Sequence, residues 1–214
     1  KMKTLILFYC MIPFLVLGMD AKEILKQVRL NLPQQKVELV GSIKLKSPKG
    51  YNKSMLPLKT QLNLEENKAH YAVEEMKLNI EWINDKSIFQ FSKTNVKPTD
   101  EIFKTGITWN DLSLQFLWWP NARIIDSVKK INRDAWLIEI SNSSHDEKFH
   151  VWIEKEMFML LGAEKKTLHD KRIQTLSVKK IQEVDGYWYA KQIDIFHHSN
   201  KDRTIITIDQ AVVL

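Results

Sequence analysis

Along most of this chain, apolar and polar residues alternate with a period of two. Val37, Leu39, Gly41, Ile43 and Leu45 alternate with Glu38, Val40, Ser42, Lys44 and Lys46. Leu56, Leu58, Thr60, Leu62 and Leu64 do the same with Pro57, Lys59, Gln61 and Asn63, and so do Met76, Leu78, Ile80 and Trp82 with Lys77, Asn79 and Glu81. Each run predicts a strand with one apolar and one wet face. The pattern returns in Trp136–Ile140, Phe149–Ile153, Met157–Leu168, Arg172–Val184, Tyr187–His197 and Arg203–Val213, with Asp185-Gly186 a strong hairpin turn. Two segments depart from it. From Ala21 to about Leu32 the apolar residues Ile24, Leu25 and Val28 recur at helical spacing behind Asp20 as N-cap, and Pro33 stops the helix. Residues 93–108 read as a loop, followed by a short helix from Thr108 to about Trp118 that Pro120 ends. The expectation is a mainly β protein with a few helices: roughly ten strands in a large, curved antiparallel sheet with helices on one face.

The helix beginning at Thr108 holds three of the seven tryptophans. At about 100° per residue, Trp109, Leu112, Phe116 and Trp119 share one side, while Leu114, Leu117 and Trp118 lie opposite. Apolar groups on both sides fit a buried core helix, and equally a plug or lid over a hydrophobic cavity. Asp111 falls in the first turn, where a carboxylate complements the helix dipole.

The first residues read as an export leader. Lys1 and Lys3 precede an apolar run, Thr4 to Leu17, shorter than the ~20 residues a bilayer span needs. Cleavage is expected after Gly18 or Ala21; taking residues 1–21 as leader leaves 22–214 as one domain. Cys10, the only cysteine, lies in the leader, so the mature chain has no disulfide, thiol nucleophile or cysteine metal site. The chain has 32 basic and 26 acidic residues, a net charge of +6, and the lysines are spread along strand faces. With no binding motif and an export leader, nucleic acid is not an expected partner. The chain contains no Gly-x-Ser-x-Gly, P-loop, dinucleotide fingerprint or His-Glu-x-x-His. Its six histidines read as solvated turn residues, so neither a cofactor, a metal nor an enzyme is expected. What remains is apolar surface: two short helices only partly cover ten strands, which leaves room for a concave, ligand-sized space suited to acyl chains.

The helix Ala21–Val28 followed by Val37–Lys46, the segment Trp109-Asn110-Asp111-Leu112-Ser113 with Phe116-Leu117-Trp118-Trp119, and Val151-Trp152-Ile153-Glu154-Lys155-Glu156 together resemble the LolA-like family of outer-membrane lipoprotein-sorting proteins. The resemblance implies an unclosed β-barrel with a helical lid around a hydrophobic cavity. It further implies a monomeric periplasmic chaperone that takes lipoproteins from an inner-membrane ABC transporter and shields their acyl chains, or another lipid, on the way to an outer-membrane acceptor. The expected cavity wall is Leu39, Ile43, Leu58, Leu62, Ile80 and Trp82, and the expected lid or plug is Trp109, Leu112, Phe116 and Trp119. One feature departs from the family: its early-strand arginine, which ties the lid shut, has no counterpart here, where the first strand offers Lys44 and Lys46. The alternative reading is an envelope-stress sensor domain that binds a partner protein on a similar half-barrel.

Overall fold

The computed structural model describes residues 19–31, 35–83 and 86–214. The leader up to Gly18, and Pro33 with its expected role as helix stop, lie outside them. The helix α1 spans Ala21–Leu30. Asp20 caps it, its carboxylate accepting the Glu23 N–H at 2.8 Å, and Ala21, Ile24, Leu25 and Val28 are buried. A first meander follows: β1 (Val37–Lys46), β2 (Asn52–Asn63), β3 (Lys68–Val73), β4 (Met76–Ile83) and β5 (Lys86–Phe91). After the loop and α2 (Trp109–Leu112) come β6 (Asn121–Lys130), β7 (Arg133–Ser141), β8 (Glu147–Glu154), β9 (Leu160–Thr167), β10 (Arg172–Val184), β11 (Tyr187–His197) and β12 (Arg203–Val213).

All twelve strands form one antiparallel sheet, ordered β5-β4-β3-β2-β1-β12-β11-β10-β9-β8-β7-β6. The last strand inserts between the two meanders, pairing with β1 from Val37–Val213 to Lys46–Arg203. The two ends of this order, β5 and β6, do not pair, so the barrel is unclosed. A single apolar cluster fills the concave side, reaching from α1 through the inward residues of β1–β4 and β7–β12 to Phe116 and Trp119.

Bulges bend the sheet where its neighbours part. The β1–β12 register shifts between Val40 and Gly41, which leaves Asp209 as an extra residue on β12. Gly41 has no room for a side chain: a Cβ there would lie 1.9 Å from the Thr207 carbonyl oxygen. Beyond this point β11 pairs with β12 only over Gln192–Phe196, and β9 pairs with β10 only over Arg172–Ser177. Residues 181–184 and 187–190 therefore pair with each other alone, as a two-stranded arm whose base is marked by register shifts around Lys180. At its tip Asp185 and Gly186 both have positive φ, 47° and 85°, which suits an Asp-Gly hairpin turn.

The twelve strands exceed the expected roughly ten; β3, β5 and β6 are the ones with no counterpart among the runs read from the sequence. The hairpins around β3 turn through Asn67 and Glu74, and β6 meets β7 through Ile131 and Asn132, all with positive φ and none of them glycine. The strand β6 is also an exposed edge without apolar alternation. Replacing Gly41 with valine forces the β1–β12 pair apart, and urea denaturation should show a loss of ~2–3 kcal/mol at unchanged far-UV circular dichroism.

Candidate ligand-binding hollow

The segment expected to be one helix from Thr108 to Trp118 is two pieces. The first, α2, is closed by reciprocal capping: the Asp111 N–H donates to Thr108 Oγ1 at 3.1 Å, and the Thr108 N–H donates to Asp111 Oδ2 at 2.9 Å. A 3-10 turn, Gln115–Trp118, then follows Leu114, which is left-handed at φ 51°. Such a conformation is uncommon for leucine and re-aims everything after it. Tertiary bonds hold both pieces. Gln115 Nε2 donates to Ser87 Oγ, Arg29 Nη1 donates to the Leu117 carbonyl at 2.8 Å, and Lys165 Nζ lies 3.4 Å from Asp111 Oδ1. Burial opposes the charge on Lys165, but Asp111 and Glu147 outweigh it and hold its pKa above the ordinary lysine value.

Two hollows adjoin this plug. The larger, about 610 Å³, lies between α1, the 3-10 turn, the β8–β9 turn and the arm, and is lined by Val28, Leu114, Leu117, Phe158, Val178 and Ile193 among others. Its rim includes Leu30, Met157, Ile181 and Trp188, which are 36–50% exposed. The smaller, about 160 Å³, lies deeper, between β1–β4, the plug and β10–β12. Six residues border both: Leu114 and Leu117 from the plug, and Trp188, Tyr189, Ala190 and Ile193 from the arm and its base. Arg29 also stands 5.9 Å over the Trp118 ring, which stacks on Trp82 at 4.6 Å between centroids. The tie between leading helix and plug thus comes from Arg29, not from the first strand.

A family model described as an uncharacterized protein matches residues 82–213, more than half of the chain. A DUF1329 family protein from Desulfovibrio piger superposes with a TM-score of 0.73 at 10% identity, covering 90% of this chain and 91% of that one. A LolA superfamily protein from Nitrosomonas europaea gives 0.71 at 10% identity, over 92% and 94% of the two chains. An outer membrane lipoprotein-sorting protein domain from Vibrio parahaemolyticus gives 0.69 at 14%, over 90% and 91%.

The chain belongs to the matched family and is LolA-like in fold.

No curated protein matches it in sequence. Within this LolA-like sheet, the residues expected at the wall divide. Leu39, Leu58, Leu62 and Trp82 line the smaller hollow, whereas Ile43 and Ile80 share the apolar face of the sheet but are fully covered by the core. Among the expected plug residues, Leu112 borders the hollow. The other three pack elsewhere: Trp109 edge-on to Phe91, Phe116 stacked on Phe149 at 4.4 Å, and Trp119 stacked on His145 at 4.7 Å. For Phe116 and Trp119 the left-handed Leu114 is the reason, since it turns Leu117 and Trp118 toward the space and Phe116 toward β8. The arm residues and Arg29 were not singled out by sequence; the apolar run Tyr187-Trp188-Tyr189 after Asp185-Gly186 was their visible trace.

Of the histidines, His169 lies exposed in a turn as expected, but His197 does not. His197 is buried, 2.7 Å from Thr204 Oγ1, whose own hydroxyl donates to the Thr105 carbonyl, so His197 Nε2–H is the donor. Its Nδ1 faces the Gln174 amide at 3.4 Å. Burial lowers its pKa, only partly offset by Asp111, Asp202 and Glu101. A lowered histidine pKa means that the unfolded chain binds the extra proton first. Stability is then full above ~6.5 and declines as the pH falls below it. Burial would raise the pKa of Glu139, but Arg123, His150 and Lys148 outweigh it and hold the group at about 2, so its loss comes only in stronger acid. Thermal melts at about pH 7.5 and about pH 5.5 should differ for the native chain, and H197Q should shrink that difference.

Proposed function

We propose that this protein is a periplasmic carrier that shields acyl chains in the joined hollows beneath the arm and plug. One observation carries the reading: two adjoining apolar spaces, about 610 and 160 Å³, reach from the exposed rim at Trp188 into the concave face of the sheet. Each methylene moved from water into such a space contributes ~0.8 kcal/mol, so a long chain is held without a charged partner or reactive group. The Vibrio parahaemolyticus domain named for outer membrane lipoprotein sorting supports lipoprotein acyl chains as the cargo. In this reading the carrier binds and does not catalyse, and it receives its cargo from an inner-membrane ABC transporter and delivers it to an outer-membrane acceptor. No described helix is long and apolar enough to cross a membrane.

The export leader in this reading ends at Gly18 and not at Ala21. Asp20 caps α1, and Ala21 is its first residue and buried, so cutting after Ala21 would remove both from the fold. Loss of such a cap costs ~1 kcal/mol. Mass spectrometry of protein recovered after export should give a chain beginning at Met19.

Leu114 allows a test in which folding and binding part company. Asparagine adopts the left-handed conformation more readily than leucine, so L114N should leave the melting temperature unchanged or raised. It also places an amide where both hollows meet, and burying that group against an acyl chain costs ~1–3 kcal/mol. Affinity for a fluorescent fatty-acyl probe should therefore fall about tenfold. A native chain that takes up no acyl probe would remove the reading altogether.

A further inference from the structure

The smaller hollow is not uniformly apolar. Thr60 on β2 and Tyr71 on β3 are register partners, so their side chains stand beside each other on one face of the sheet, and both line this hollow. They are 5% and 8% exposed. Neither hydroxyl has a hydrogen-bond partner among the described residues. A hydroxyl that a ligand cuts off from water without giving it a partner is costly, and two side by side, open to a space of about 160 Å³, form a ready polar contact point within apolar walls. Their partners on the outer strands are Leu39 and Leu78, and Leu58, Leu62, Ala69 and Val73 flank them on the same face; none of these supplies an acceptor or donor from its side chain.

We infer that Thr60 and Tyr71 bind an uncharged oxygen of the ligand, the carbonyl of an ester or the hydroxyl of an alkyl chain. The charge on the ligand group follows from the surroundings. Asp111 is the one charged residue lining this hollow among the described residues, and no lysine, arginine or histidine there would offset a carboxylate. Burial keeps Tyr71 in its protonated form, able to donate. A neutral oxygen accepts from Tyr71 or Thr60, and a ligand hydroxyl can also donate to either of them. The contact selects among lipids of the same length, because an alkane leaves both hydroxyls unpaired while an ester or alcohol satisfies them. This inference rests on the acyl-chain reading of the hollow and adds to it the chemistry of the group that enters deepest.

The test compares matched dodecyl compounds, namely dodecane, dodecanol, methyl dodecanoate and dodecanoate, bound to the purified protein and followed by its tryptophan fluorescence. The native chain should bind the alcohol and the ester about tenfold more tightly than the alkane, and the carboxylate no better than the alkane at neutral pH. In the T60V/Y71F double variant, which keeps shape and removes both hydroxyls, the alcohol and ester should fall to the level of the alkane while alkane binding stays the same. Equal binding of alkane and alcohol by the native chain overturns the inference, as does a preference that survives in the double variant or a carboxylate that binds tightest. Absence of binding for all four, the alkane included, means that the hollow takes no chain. That result refutes the acyl-chain reading itself, whereas a chain that binds without regard to its oxygen refutes only the role of Thr60 and Tyr71.

Discussion

The concave face of the sheet carries more apolar surface than its own strands can cover, and most of the architecture answers that imbalance. A closed barrel would bury such a face by pairing its first and last strands, but here β5 and β6 stay apart and the interior must be covered by other means. Three pieces provide the cover. The helix α1 packs beside β6, the loop and plug from residues 93 to 119 pack into the apolar cluster, and the β10–β11 arm extends beyond the strands that flank it. Where the plug meets the sheet, cover is tight, as the Phe116–Phe149 stack shows. Where arm, α1 and plug only approach one another, space is left. The hollow is thus what an incomplete covering leaves behind, and its shape is set by whatever fixes those three pieces.

Each piece is fixed differently. The plug is held by a charge pair between Asp111 and Lys165 that is nearly out of water, by the capping exchange at Thr108, and by Gln115 reaching Ser87 on an edge strand. Buried pairs of this kind do not add much net stability, but losing one partner is expensive, so they specify position more than they strengthen the fold. The leading helix is joined to the plug by Arg29, whose guanidinium meets both the Leu117 carbonyl and the face of Trp118. Among the described residues no strand pairs with the arm on either flank, and a two-stranded ribbon without lateral support is the least constrained way to build a sheet. The wall of the cavity that faces solvent is therefore also its softest.

The strands that alternate cleanly, from Val37–Lys46 to Arg203–Val213, were legible because a half-buried strand repeats every two residues regardless of its neighbours. The Asp185-Gly186 turn was legible for the same local reason. Strands closed by Glu74 or by Ile131 and Asn132 were not, since those side chains do not announce a positive φ and only the surrounding sheet imposes it. The tryptophan segment shows the limit most clearly. Its composition revealed two apolar sides, but which side met the sheet depended on Leu114, a residue whose sequence preference gives no hint of a left-handed turn. Likewise Arg29 reads locally as a cation in the last turn of a helix, and its bond to Leu117 joins residues far apart in the chain.

The place of β12 has a further consequence for how the fold comes into being. The first and last strands of the sheet are partners along their whole length, and they sit in the middle of the strand order. Contacts this distant in sequence carry a large loop-closure entropy and slow the search for the native state. A chain emerging from its N-terminus can assemble the β1–β5 meander early, but that half keeps an open edge until β12 arrives. Completion is therefore a late, all-chain event, and a truncation that removes only the last strand would divide the sheet into two halves with no seam between them.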